Sequence, residues 1–216
     1  MKQIIEDIFS YNGISAKDGE ALWTTLYILY NSPDRKYHNL LHIAKCLDYF
    51  NEYFDDYIVS YCDELSRVYD ILSLAILFHD IVYDTEAKDN EEKSACYAVD
   101  VLTKFKFPEN IISEVKNCIL ATKHQHLTDN FLEQIMCDVD LASLAAPRNE
   151  FIINNLNIRA EYSALPDEVF YKGNHQLLQS LIDRPIYQTC YFYDRFEKKA
   201  TQNIEYILKQ QENYIS

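Results

Sequence analysis

The sequence has few of the residues that make tight turns. Its 216 residues include only three glycines and five prolines. Chains built from β-hairpins need such residues between short strands, so a hairpin-rich fold is disfavoured. Apolar residues instead recur three and four positions apart, as at Val68, Leu72, Ala75 and Ile76, which is the spacing of a buried helix face. The sequence therefore predicts an all-α fold of about nine helices.

Long hydrophobic runs and paired cysteines are also missing. No stretch approaches the ~18 uninterrupted apolar residues of a membrane helix, and residues 1–7 carry acids where a signal peptide is apolar. The cysteines form no CxxC pair and stand at Cys46, Cys62, Cys96, Cys118, Cys137 and Cys190. This spread is typical of reduced core thiols. We therefore expect a cytoplasmic protein with no membrane partner.

Positive charge is scarce. Lys and Arg number 20 against 34 Asp and Glu, which gives a formal net charge of −14. Such an acidic surface repels the phosphates of nucleic-acid polymers and anionic membranes, so neither is expected as a partner. A small phosphorylated substrate remains compatible with this charge only if a metal ion or a few basic side chains concentrate positive charge locally.

The chain shows no internal boundary. Its length is close to that of one domain at ~150 residues, and no linker or repeat divides it. We therefore expect a single domain over residues 1–216. Pro108 and Pro166 are placed to begin helices, and Asp89 with Glu92 three residues later has the pattern of a capping box.

Polar side chains concentrate in three short stretches, at residues 35–42, 77–80 and 137–141. In the first, His38 and His42 stand four positions apart and would share one face of a helix. In the second, His79 and Asp80 follow an apolar segment that should be the most buried in the chain. A carboxylate at that position needs a cation, because burying it unpaired costs many kcal/mol.

The third stretch supplies a further carboxylate, with Asp138 and Asp140 as the alternatives. Two imidazoles and two carboxylates are a ligand set that suits a borderline or hard divalent ion, with water completing its coordination. The sequence therefore predicts a metal site made from distant parts of the chain.

The order of these residues, His, then His-Asp, then Asp, resembles that of the HD-domain superfamily of metal-dependent phosphohydrolases. The segment Tyr37-His38-Asn39-Leu40-Leu41-His42 is similar to the Tyr-His-Asn-x-x-His segment of cyclic-nucleotide phosphodiesterases, and residues 140–143 are similar to their Asp-Leu-Ser segment. Residues 78–83, 89–95 and 158–162 resemble a group of predicted HD phosphohydrolases of about this length. The resemblance covers most of the chain and implies a helical bundle of the HD type.

The resemblance also implies roles for individual residues. It assigns the metal to His42, His79, Asp80 and Asp140, and the ion would be Mn, Mg, Co, Ni, Zn or Fe. It makes His38 the general acid, although a role as ligand stays open, as does the number of metals. Leu141 follows Asp140 as in the similar segment, which favours Asp140 over Asp138. The chain lacks the His-x-Gly-x-x-Asn that follows the His-Asp pair in phosphodiesterases, so cyclic-nucleotide specificity is not implied.

Other side chains are candidates for contact with substrate. Arg35 could clamp a phosphate as a bidentate fork, and Lys123 with His124 forms the other compact cationic cluster. Glu91 could orient the attacking water, and it joins His38 and Asp80 as a candidate catalytic residue. The alternatives are that Glu91 stabilises a helix N-terminus and that Lys123 and His124 stabilise a helix C-terminus. For residues 159–162 a salt-bridged helix face is the favoured interpretation.

These residues predict a hydrolase that cleaves a small phosphoester, which we expect to be a nucleotide. A divalent ion would activate water, and His38 would protonate the leaving oxygen. Two alternatives remain open. One is a di-iron oxygenase of the HD type, in which His124 and His126 supply the added ligands. The other is a nucleotide-binding module without catalysis. The sequence does not predict the oligomeric state.

Overall fold

The structure, a computed structural model, describes residues 1–58 and 64–215. These residues form ten α-helices and no strand, which confirms the predicted all-α class, with one helix more than expected. The helices are α1 Lys2–Tyr11, α2 Ala16–Tyr30, α3 Leu40–Tyr53, α4 Glu64–Phe78, α5 Asn90–Lys104, α6 Glu109–Ala121, α7 Phe131–Leu141, α8 Arg148–Glu161, α9 Asp167–Ile182 and α10 Cys190–Ile215. A π-helical turn, Phe54–Ile58, follows α3, and a 3-10 turn, Ala142–Ala145, follows α7.

The helix starts are set by local side chains. Asn39 caps α3 by accepting a hydrogen bond from the amide of Leu41. Pro108 and Pro166 directly precede the first residues of α6 and α9, as their fixed φ angles predict. The predicted capping box at Asp89 is wrong, because its side chain does not cap α5 and pairs with Lys93 instead.

The centre of the fold is α4. Every residue from 71 to 78 is at most 1% exposed, as expected from the apolar run in the sequence. This helix packs against α3, α5, α6 and α7, and its C-terminal end carries His79 and Asp80 into the middle of the bundle. The core therefore determines where the predicted metal ligands lie.

The cysteines agree with the sequence in part. All five described cysteines are free thiols, and Cys46, Cys118 and Cys137 are buried as expected. The core position expected of Cys96 and Cys190 is wrong, because both are exposed, while Cys62 lies outside the described residues. Within residues 1–58 and 64–215, none of the helices has both the length and the apolarity required to cross a bilayer.

Candidate metal centre

Three helices bring the predicted ligands together. His42 lies in the first turn of α3, His79 and Asp80 follow the last residue of α4, and Asp140 lies near the end of α7. The Nε2 atom of His42 is 3.2 Å from Nε2 of His79 and 3.2 Å from Oδ1 of Asp140. These contacts gather side chains separated by up to about a hundred residues of sequence.

Asp80 completes the cluster. Its Oδ2 atom is 3.2 Å from Nε2 of His79 and 3.6 Å from Nε2 of His42. Nε2 of His79 is also 3.4 Å from Oδ1 of Asp140. Both imidazoles thus direct the same nitrogen at the same two carboxylates, which is how ligands face a shared cation. A buried group that could hold a metal ion is therefore present.

The electrostatics of the cluster also favour a cation. Burial disfavours ionised Asp80, but His79, His38 and His42 together outweigh burial and hold the pKa of this carboxyl well below its usual value. Burial likewise opposes ionised Asp140, yet hydrogen bonds from His124, His42 and His79 lower its pKa. Both carboxylates are therefore charged at neutral pH in a buried setting, where such charge needs a positive partner.

Cys46 is a potential metal ligand, although the sequence analysis interpreted it only as a core thiol. Its sulfur and one ligand atom each from His42, His79 and Asp140 all lie within 4.8 Å of one another. The sulfur is 3.7 Å from Nε2 of His42, one helical turn earlier. The four-residue spacing from His42 is the signal that could have found it.

The structure also separates the two aspartates of α7. Asp138 is fully buried and accepts hydrogen bonds from the amides of Gln188 and Thr189 and from the hydroxyl of Thr189. Burial raises the pKa of Asp138 to about 6. Asp138 therefore anchors the segment that leads into α10, and Asp140 is the aspartate of the cluster that could hold a metal ion.

His38 does not lie on a helix with His42, which corrects the expected i, i+4 pair. It precedes the cap residue Asn39, so α3 begins only at Leu40. The two rings nevertheless remain close, with centroids 6.0 Å apart. His38 therefore lies at the edge of the candidate metal cluster and not among its closest ligand atoms.

A buried glutamate holds His38. Nδ1 of His38 is 2.7 Å from Oε2 of Glu161, and the amides of Tyr37 and His38 donate to Oε1 at 2.7 and 2.9 Å. The Tyr83 hydroxyl donates to Oε2 at 3.0 Å, and its ring stacks on that of His38 at 4.2 Å. Burial opposes a charged His38, but Glu161 and the nearby aspartates raise its pKa.

Sequence reasoning missed the role of Glu161. Arg159 does form a salt bridge, but its partner is Asp167 at the start of α9, at 2.6 Å, and not a residue of its own helix face. Glu161, however, turns inward from the end of α8, and its side chain has no exposed surface. The similarity of residues 158–162 to predicted HD phosphohydrolases was the one signal in the sequence that could have pointed to it.

Arg35 does not lie where it could clamp a phosphate in the cavity. Its guanidinium donates to the backbone carbonyls of His38, Asp80 and Ile81 and lies against the rings of Tyr30 and Tyr83. It is not among the residues that line the cavity beside the cluster. The phosphate contact expected of Arg35 is therefore replaced by a structural one, which ties the segment before α3 to the residues that follow α4.

The cluster opens into a cavity of about 510 Å³. Among the predicted site residues, its wall includes His38, Asp80, Glu91, Lys123, His124 and Asp140. The Lys123 ammonium pairs with Glu92, and Lys88, which the sequence reasoning did not single out, adds a second lysine to the wall. A cavity of this size is typical of small-molecule sites.

His124, which the sequence paired with Lys123 as a cationic cluster, lies directly against the candidate metal ligands. Nε2 of His124 is 2.9 Å from Oδ2 of Asp140, the carboxylate oxygen that His42 and His79 do not contact. His124 adopts a positive φ of 52° just after the end of α6. His126, two residues on, is exposed and does not line the cavity. His124 alone therefore reaches the centre.

The chain was also compared with known proteins. A scan against protein-family models, a search of curated proteins and a search of solved structures each found no match. The resemblance to HD-domain phosphohydrolases thus stays a prediction from the motifs, and the geometry stands beside it independently.

Proposed function

We propose that the protein is a metal-dependent hydrolase of a small phosphoester, of the HD type. The observation that carries the proposal is the convergence of His42, His79, Asp80 and Asp140, of which the two aspartates line a cavity of about 510 Å³. Their buried charge and shared direction fit a divalent ion, and the same wall carries an imidazole, His38, that is not needed as a ligand.

The four side chains would hold the ion. Two imidazole nitrogens and two carboxylates suit Mn, Co, Ni, Zn or Fe and are compatible with Mg. When bound, a divalent ion supplies Lewis acidity, which lowers the pKa of water towards ~7 and stabilises phosphoryl oxygens. The negative net charge of the chain makes this local positive charge necessary for any phosphorylated substrate.

The other side chains of the wall would complete the reaction. Glu161 holds Nδ1 of His38, so Nε2 is the nitrogen left to give a proton to the leaving oxygen as its bond to phosphorus breaks. Lys123 and His124 would contact the phosphate, and Glu91 would orient the water whose oxygen forms the new bond to phosphorus. These roles agree with the positions of the three residues on the cavity wall.

The proposal is tested by turnover. Metal-depleted protein would be reloaded separately with Mn, Mg, Co, Ni, Zn and Fe and assayed with 4-nitrophenyl phosphate, its bis-ester and a nucleotide panel. We expect activity with at least one metal, loss of that activity in Asp80→Asn, and retention in the control Asp84→Asn, whose side chain is exposed outside the cavity. Absence of turnover with every metal and substrate would contradict the proposal.

A second candidate function has one specific observation in its favour. His124 contacts the outer oxygen of Asp140, so this carboxylate could bridge two ions, as a di-iron oxygenase requires. We expect less than two irons per chain, because His126 does not reach the site. Two bound irons together with dioxygen consumption would favour the oxygenase, whereas nucleotide binding without any turnover would favour a binding module.

A further inference from the structure

The cavity at the metal centre continues into a lobe with apolar walls. Two helices face each other across this lobe, with Phe151 and Ile158 from α8 and Val169, Phe170, Leu177 and Leu181 from α9. The same cavity wall carries charged groups, Asp80, His124 and Asp140 among them. The cavity thus combines groups that suit a metal and an anion with apolar residues of α8 and α9 that suit an apolar group.

The apolar residues of the lobe are not all core residues. Val169 and Leu177 are each 56% exposed although they border the cavity. A single exposed leucine needs no explanation, but apolar side chains grouped on the wall of a concave site are characteristic of ligand pockets. Leu156 on α8 is an example of such a single exposed leucine, because it is 60% exposed but does not line the cavity.

A chain of contacts leads from the candidate acid to this lobe. The ring of His38 stacks on Tyr83, the hydroxyl of Tyr83 interacts with that of Tyr162, and the Tyr162 ring lies 5.6 Å from the ring of Phe170. A general acid must reach the leaving oxygen. The part of the substrate that leaves with this oxygen is therefore the part nearest the lobe.

The amides that α8 and α9 add to the wall are those of Asn154, Asn155 and Asn174. The amide nitrogen of Asn155 donates to the carbonyl of Phe151 in its own helix, and that of Asn154 is buried without a partner. A nucleoside would set more polar atoms of its ribose and base against these apolar walls than the three amides could pair. Each buried polar group left without a partner costs about 1–3 kcal/mol, whereas an aliphatic chain has none.

We propose that the substrate is a phosphomonoester of an aliphatic alcohol, whose chain lies between α8 and α9. This inference rests on the proposed function and deepens it. The oxygen of water forms a bond to phosphorus, the bond from phosphorus to the alkyl oxygen breaks, and that oxygen takes a proton from His38. The products are the alcohol and inorganic phosphate.

The first test measures binding without turnover. Alkylphosphonic acids from methyl to octyl would be titrated into the metal-loaded protein by calorimetry, below their micelle concentrations. We expect affinity to rise with each methylene by up to about fourfold, the limit set by ~0.8 kcal/mol per buried CH₂. Equal affinity for methyl and octyl, or tighter binding of nucleoside monophosphates than of octylphosphonate, would overturn the inference.

A matched pair of variants tests where the alkyl chain of the ligand lies. Leu177→Ser should weaken octylphosphonate binding about fivefold and leave methylphosphonate unchanged, because it removes part of the apolar wall. Leu156→Ser, an equally exposed leucine outside the cavity lining, should change neither. Identical effects of the two substitutions on octylphosphonate would contradict the placement of the chain.

Turnover separates this inference from the function on which it rests. We expect kcat/KM for alkyl phosphates to rise with chain length and to exceed that for nucleoside monophosphates. Hydrolysis of 4-nitrophenyl phosphate with no dependence on chain length would refute the aliphatic substrate and leave the phosphohydrolase intact. Binding of the longer phosphonates with no turnover of any phosphoester would instead count against the hydrolase.

Discussion

Replacing Glu161 by glutamine tests how the candidate acid is held. One oxygen of Glu161 accepts from the amides of Tyr37 and His38, and the other faces Nδ1 of His38 and the hydroxyl of Tyr83. A glutamine keeps one oxygen for the two amides. Its NH₂ group cannot accept the hydrogen bonds from the imidazole and the phenol.

The expected loss follows from these two hydrogen bonds. Hydrogen bonds to a charged group contribute about 1.5–3 kcal/mol each. A change of His38 tautomer would let Nδ1 accept from the new NH₂ group and recover part of this loss. We therefore expect Glu161→Gln to lower the free energy of unfolding by about 2–4 kcal/mol. The glutamine also removes the charge that favours protonated His38, so turnover should fall by about 10²–10⁴-fold at unchanged metal content.

The assay is urea denaturation followed by circular dichroism, with metal content and turnover measured on the same samples. Glu150→Gln is the control, because Glu150 lies on the same helix and pairs with Lys45 at the surface. Its substitution should cost no more than about 1 kcal/mol. A Glu161→Gln protein as stable and as active as wild type would refute the reasoning.

Three further predictions concern the rest of the molecule. Burial raises the pKa of Asp70 to about 6, so the folded state binds this proton more tightly than the unfolded chain and loses stability as pH rises through that value. Asp70→Asn should therefore have a higher melting temperature than wild type at pH 7.5 but not at pH 4, and an equal difference at both would contradict this cause. Arg35→Lys should weaken metal binding about tenfold in a metal-buffer titration, because lysine cannot reproduce the guanidinium's hydrogen bonds to the carbonyls of His38, Asp80 and Ile81; unchanged affinity would exclude a positioning role. Leu74→Ala, at a site with no exposed surface, should lower the free energy of unfolding by about 2–5 kcal/mol in urea, and a loss below ~1 kcal/mol would show that α4 is not the centre of the core.

The features that could be predicted from the sequence are those that local pattern determines. An apolar run as long as residues 71–78 can only be a buried helix in a chain so poor in turn residues, and the charged pair at its end must then lie inside the fold. The grouping of His79 and Asp80 with His42 and Asp140 was implied by the resemblance of this residue order to HD-domain phosphohydrolases. The burial of α4 and the convergence of these four side chains are what the structure shares with that prediction.

The features that the sequence did not predict depend on contacts between distant segments. Glu161 contacts a histidine 123 positions away, and apart from the similarity of residues 158–162 to predicted HD phosphohydrolases, its own helix does not distinguish it from a surface acid. The sequence favoured Asp140 over Asp138 as the ligand, but it did not predict the structural role of Asp138, which depends on amides near the start of α10. A basic residue close to a histidine suggested an anion site at Arg35, but carbonyls at the end of a helix attract a cation equally well.

The most direct test of the metal centre is the metal content of the purified protein. Wild type, His79→Ala, Asp140→Asn and the control His126→Ala would be equilibrated with Mn, Co, Ni, Zn or Fe, desalted and analysed by mass spectrometry, with circular dichroism to confirm folding. We predict at least one divalent ion per chain in wild type and in His126→Ala, with fewer than two where the ion is iron, and little metal in folded His79→Ala and Asp140→Asn. Equal metal content in all four proteins, or no retention of any metal by wild type, would contradict the account.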